Sequence, residues 1–172
     1  MDLLEADDGG LSLRAVARRA GVSATAPYRH FADKEALESE LAAQGFADLG
    51  RRLGAADPQP ATPDGFARLA VDYVRFALDR PALFRLMFGT PCTNPEDARA
   101  VAAAELGAFV LTHVSQAFPQ ADAEALATAG WSLVHGLAFL HLDGKLPSAN
   151  ADEVEARVTS AITAILTLRL TG

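Results

Sequence analysis

Apolar residues recur along most of this chain at three- and four-residue steps, and hardly anywhere at the two-residue step of a strand. Each periodic stretch is bounded by glycine, proline or a capping residue. Residues 2–6 read as the last turns of a helix, which Asp7-Asp8-Gly9-Gly10 ends. Ser12 can cap the next helix, because its hydroxyl accepts from an otherwise orphan backbone N–H. That helix should run to about residue 20, with Val16, Ala17 and Ala20 inward and Arg14, Arg18 and Arg19 outward. Gly21 stops it in a left-handed conformation, and Val22 should plug the turn. Ser23 or Thr25 caps a third helix. Pro27 must lie in that helix's first turn, where a missing N–H is tolerated, so the helix is short and ends near Phe31. Asp33 caps a long fourth helix with Leu37, Leu41, Leu49 and Leu53 as its apolar stripe.

Residues 54–63, GAADPQPATP, break the periodicity with three prolines and mark a hinge. This predicts a head over 1–53 and a body over 54–172. In the body, a helix over 64–80 places Phe66, Leu69, Ala70, Tyr73, Val74 and Ala77 on one side. A short helix from Pro81 carries Leu83, Phe84, Met87 and Phe88, and a loop follows over 89–95. Longer helices are expected over 95–118, 121–142 and 152–170. The last repeats Val154, Val158, Ala161, Ile162 and Ile165 at helical spacing. The predicted fold class is all-α, a helix-turn-helix head joined to a helical bundle.

Composition adds limits. The chain of 172 residues is half apolar and has one cysteine, Cys92, so no intramolecular disulfide can form. No unbroken apolar run reaches the roughly 18 residues that cross a bilayer, and the acidic start lacks the pattern of a signal peptide. These features predict a soluble, cytoplasmic protein with no membrane partner. The net charge is −7, but it is unevenly spread. Residues 1–10 hold four acidic groups and no basic one. Residues 11–34 hold Arg14, Arg18, Arg19, Arg29 and Lys34 against Asp33 alone, and the remainder is acidic. The only net-positive block coincides with the helix-turn-helix, as a nucleic-acid face requires.

That block also has the right small residues. Ala17 fits where two helices cross, Gly21 fits the turn and Val22 follows it. Hydroxyls, cations and an aromatic tip gather just beyond, in Ser23, Thr25, Tyr28, Arg29, His30 and Lys34. The segment AVARRAGVSATAPYRHFADKEAL resembles the signature of the TetR family of bacterial transcriptional regulators. It has Ala-x-x-x-Gly-Val-Ser, then Tyr-x-His-Phe, then Lys-Glu-x-Leu. WSLVHGLAFL, from Trp131 to Leu140, is similar to a Trp-x-x-x-His-Gly segment in the regulatory domains of one subgroup.

The resemblance implies a homodimer joined through its last two helices, an operator in double-stranded DNA and a small-molecule effector. It implies base contacts from Thr25, Ala26 and Arg29, and phosphate contacts from Ser12, Tyr28, His30 and Lys34. Phe31 would pack the head. Two departures stand out. The helix before the motif is short and acidic here, which suggests a start upstream or a shortened first helix. Pro27 replaces an inward aliphatic residue, which shortens the recognition helix.

Other chemistry has less support. His113, His135 and His141 lack metal-ligand spacing, so no metal or cofactor is expected. Ser132 and His135 share a helix without an oxyanion hole or an orienting acid, and no catalytic motif occurs, so an enzyme is not expected. Trp131 and His135, four residues apart, share one face that could be core, dimer seam or pocket wall. The candidate effector contacts are Phe84, Met87, Phe88, Phe109, His113, Trp131 and His135. The expected function is a ligand-responsive repressor. The alternative is a helical dimeric small-molecule-binding protein with a degenerate DNA-binding head.

Overall fold

In the computed structural model of the chain, residues 12–56, 62–91 and 94–167 are described. The expected turns at 2–6, the tail of the last helix at 168–170 and Cys92 lie outside them. The fold is all-α. Among the described residues there are seven α-helices and one short 3₁₀ turn: α1 (Leu13–Ala20), the turn Pro27–Arg29, α2 (Lys34–Ala56), α3 (Pro63–Asp79), α4 (Pro81–Gly89), α5 (Ala98–Ala117), α6 (Ala123–Leu142) and α7 (Ala151–Thr167).

Local signals set most of these boundaries. Ser12 Oγ accepts from the Ala15 amide at 3.2 Å, and Asp33 Oδ1 accepts from that of Ala36 at 2.8 Å. Asp122 caps α6 in the same way, through the Ala125 amide at 3.0 Å. Gly21 takes φ 67°. Its N–H donates to the Arg18 carbonyl and that of Val22 to the Ala17 carbonyl, a paired closure of α1 that needs the left-handed residue. Pro81 opens α4 at a position where the missing N–H costs nothing.

The chain divides into two compact units. The first is Met1–Ala47 with Arg80–Ala104, and the second is Asp48–Asp79 with Glu105–Gly172. The first therefore groups α4 and the start of α5 with the head. Close packing explains that grouping. A Cβ on Gly45 of α2 would lie 2.7 Å from Met87 Sδ and 3.1 Å from Leu83 Cδ1, so only glycine lets the two helices approach this far. Phe46 meets Phe88 edge-on at 5.1 Å, and Phe88 meets Phe84 at 4.8 Å. A polar clamp lies on the same buried face of α2. Ser39 Oγ donates to Asp97 Oδ1, which also accepts from the Arg99 amide at 2.8 Å. Asp97 thus caps α5 while holding it to α2. The Ser39 hydroxyl, ahead of the backbone amides, keeps the Asp97 carboxyl below the usual carboxylate range.

In the second unit, α3 is the central helix. Ala67, Ala70, Val71, Tyr73, Val74, Phe76 and Ala77 are buried, and α3 packs on both α6 and α7. α7 contributes Val154, Val158 and Ile162 at four-residue steps, and α6 contributes Val134, Leu137, Ala138 and His141. Arg75 bridges α3 to Glu155 at 2.6 Å, and Arg52 reaches Asp79 at 2.8 Å.

Several features differ from the sequence expectation: Ala20, expected inward, is exposed, and the recognition segment starts from Ala26 without a side-chain cap from Ser23 or Thr25. The recognition segment holds only a three-residue 3₁₀ turn. Val22 is 49% exposed, so it ties the turn through its backbone and does not plug it. Finally, α5 and α6 are both long and apolar enough to cross a membrane by length and composition. Counting unbroken apolar runs misses them, because scattered charges and small polar residues interrupt each stretch. Only 6% and 22% of these stretches are buried within the chain, so much apolar helix surface is uncovered in a single copy.

Candidate nucleic-acid interface

The basic block folds into α1, a closed turn and a string of further turns. The Ala26 amide donates to the Ser23 carbonyl at 3.0 Å, that of Arg29 to Ala26 at 3.2 Å, and that of His30 to Pro27 at 3.0 Å. Proline explains why this is not a continuous helix. Pro27 has no N–H to donate to Ser23, so the bond that would carry a helix through this position is missing. It is nevertheless buried, so it fills the inward position an aliphatic residue would take. The shortening expected from Pro27 therefore goes further than a trimmed N-terminus.

Around this turn the side chains face outward. Ser23, Thr25, Arg29, His30 and Lys34 are exposed, Tyr28 is 52% exposed, and Ala26 is partly covered. The Ser23 and Thr25 hydroxyls lie 3.2 Å apart, so each limits the other's rotation and the pair presents oxygens at one place. Ser12 is exposed too, with its oxygen accepting from α1 while its O–H remains available to donate. Lys34 pairs with Glu38 at 3.1 Å. An exposed pair one helical turn apart stabilises by only about 0.3–0.5 kcal/mol, so a phosphate can displace the glutamate at little cost. Arg14 and Arg18 are exposed on α1 beside this face. The result is an exposed patch of cations, hydroxyls and one phenol, suited to phosphates and groove edges.

Comparison with known proteins decides the family. Residues 66–165 match the Tetracyclin repressor-like C-terminal domain, and residues 9–41 match the bacterial regulatory proteins of the tetR family. This chain belongs to the TetR family. It is similar to a protein of unknown function from Rhodococcus sp. RHA1, at 34% identity and TM-score 0.75. That alignment covers 92% of this chain and 87% of the other. It is also similar to a protein described as regulatory, SCO4313, at 29% identity and TM-score 0.64, with 90% and 85% covered. As a TetR-family member the chain is a DNA-binding transcription regulator with an N-terminal helix-turn-helix and a helical C-terminal domain.

The residues named for effector contact fall in different units of this TetR-family chain. Phe84 and Met87 are fully buried in the first, with Phe88 partly covered beside them. The second unit holds the others. His113 Nδ1 donates to the Phe109 carbonyl at 2.7 Å, and their rings meet at 4.1 Å, tilted by 45°. Trp131 Nε1 donates to the Tyr73 hydroxyl at 3.3 Å, and that hydroxyl lies 2.9 Å from His135 Nδ1. The phenol can accept from tryptophan and donate to His135 at once when the imidazole is neutral with Nδ1 as the acceptor. Burial favours the same state, holding the imidazole below its ordinary pKa and pushing the Tyr73 phenol well above its own.

Tyr73 was legible in the sequence only as one residue of an apolar stripe. Its polar role needs partners 58 and 62 positions away. Ser132 Oγ donates to the Thr128 carbonyl at 2.8 Å, so it is turned along its own helix while His135 Nδ1 faces Tyr73.

Proposed function

We propose that this regulator is a ligand-responsive repressor that binds a palindromic operator as a homodimer. Residues 1–53 read the DNA and residues 54–172 dimerise and take the effector. The observation that carries the DNA part is the outward set of Ser23, Thr25, Tyr28, Arg29, His30 and Lys34 around one turn, in an otherwise acidic chain. Thr25, Ala26 and Arg29 would meet base edges. Ser12, Ser23, Tyr28, His30 and Lys34 would hold phosphates, which fix register and give the salt dependence.

The outward face of α6 supports the dimer. Ala125, Ala129, Ser132, Gly136 and Leu140 follow one another at three- and four-residue steps and leave a shallow, mostly small-residue stripe. A Cβ added at Gly136 would meet nothing within 4 Å, so packing within the chain does not demand glycine there. Trp131, 52% exposed and held by Tyr73, is a preorganised aromatic of the kind that anchors interfaces, and Ile165 of α7 is 50% exposed. A two-fold pair would present its reading turns one helical repeat of DNA apart, about 34–36 Å. An effector would act by binding better to one spacing than to the other. A protein that reads operators works in the compartment that holds the DNA, which in a bacterium is the cytoplasm.

Selecting bound fragments from random duplexes with the purified protein tests this. A palindromic winner bound by a dimer supports it. A folded dimer that enriches no site would favour the second reading, a small-molecule-binding protein with a degenerate head. The reduction of the recognition segment to one 3₁₀ turn is what motivates that reading.

A further inference from the structure

Among the described residues Arg99 is the one arginine, lysine or carboxylate in the buried core, at 4% exposure. It sits in the first turn of α5, beside the Ser39–Asp97 clamp. Its backbone N–H is used twice, on Asp97 Oδ1 and on Ser39 Oγ. Its guanidinium differs: Nε is buried with no hydrogen-bond partner, and no ion pair to a carboxylate is formed among the described residues. Asp97 lies close enough for the two charges to feel each other, and its Oδ1 is taken by the Ser39 hydroxyl and the Arg99 amide. Burying one donor of a cation without a hydrogen-bond partner costs the fold, and the Asp97 charge nearby offsets that cost only in part. Such a group is retained more readily where something else uses it.

We propose that Arg99 is the receptor for the negative charge of an anionic effector, a small organic carboxylate. This inference rests on the ligand-responsive reading above and names the class of ligand. A planar carboxylate matches the donor fork of arginine. The N-terminus of α5 adds a favourable field for an anion at the same place.

The position also supplies the coupling. A second carboxylate beside Asp97 strains the Ser39–Asp97 bond, which joins α5 to α2. Because α2 begins directly after the recognition turn, loosening that bond changes how firmly the turn is held.

The test uses the full-length protein and thermal unfolding. The probes are decanoate, benzoate and phenylacetate, each against its neutral amide. At least one acid should raise the melting temperature in a concentration-dependent way that its amide does not reproduce. The neutral variant Arg99→Met should melt at or above the wild type without ligand. It should bind the active acid roughly 10-fold or more weaker, the loss expected for a charged hydrogen-bonded partner. Three results would overturn the proposal: no acid outperforms its amide on the wild type; Arg99→Met binds the acid as well as the wild type; or Arg99→Met melts several degrees lower, which would make the guanidinium a structural partner. All three readouts are free of DNA. A protein that selects an operator and releases it to a neutral compound independently of Arg99 would sink this inference and leave the repressor reading standing.

Discussion

The core around α3 and the head between Ser12 and Lys34 use their side chains in opposite ways. On α3, seven apolar side chains are buried, and its exposed edge is drawn into ion pairs such as Arg75–Glu155. In the head segment only Leu13, Ala17 and Pro27 are buried, and the backbone is held by caps and turns. One region spends its side chains on internal packing, and the other leaves them to a partner. The outward face of α6 is likewise uncovered within the chain, although it is made of the same apolar residue types as the core. Gly45 and Gly136 make the contrast within one residue type. A Cβ on the first would collide with Met87, and a Cβ on the second would enter open space.

The largest effect should come from the core. Phe76→Ala empties a site that is 3% exposed and should cost about 3–5 kcal/mol in denaturant unfolding. DNA binding should then fall only with the folded fraction. Gly136→Leu should do the reverse, leaving the fold of each copy intact while raising the dimer dissociation constant. Overpacking of about 1–3 kcal/mol corresponds to roughly 5- to 150-fold in analytical ultracentrifugation. A Gly136→Leu variant that unfolds but does not dissociate would move that face into the core.

Ser12→Ala should cost about 1 kcal/mol, confined to the head. Amide exchange should quicken across Leu13–Ala20 and stay unchanged across α3. The smallest effect is that of acid. His135 and His141 are both held below the ordinary imidazole pKa by burial, with the Arg157 charge adding to the effect at His141. The folded protein therefore refuses protons that the unfolded chain accepts. Stability should be steady above pH 6.5, the ordinary value, and fall as pH drops below it. Neither ring nitrogen of His141 makes a well-formed hydrogen bond, although the carbonyls of Leu146 and Pro147 lie close by. His141→Leu should therefore flatten part of that acid slope without lowering stability at pH 7.5, as read by melting temperature.

What the sequence showed in advance was local. The caps at Ser12 and Asp33, the stop at Gly21 and the start at Pro81 each depend on residues within a few positions of the signal. The outward chemistry of the head was legible for the same reason, since a cation or hydroxyl in a turn has few places to go. Three things were not legible. Pro27 announced a short recognition helix, but reduction to a single 3₁₀ turn depends on how far the neighbouring turns can compensate. The Ser39–Asp97 clamp and the Tyr73–His135 pair join residues 58 and 62 positions apart, and no periodicity encodes such a meeting. The two faces of α6 look alike in sequence, since Leu137 and Leu140 differ only in what covers them.

The central claim is that the turn around Pro27–Arg29 reads the operator while Lys34 only holds its phosphates. The direct measurement is affinity for the selected duplex and for a scrambled one, across salt, for the wild type, Arg29→Ala and Lys34→Ala. Arg29→Ala should weaken the selected site by about 1–3 kcal/mol more than the scrambled one. Lys34→Ala should weaken both alike and reduce the salt slope by about one. If both variants bind both duplexes as the wild type does, DNA is read by another face of the molecule and the account is wrong.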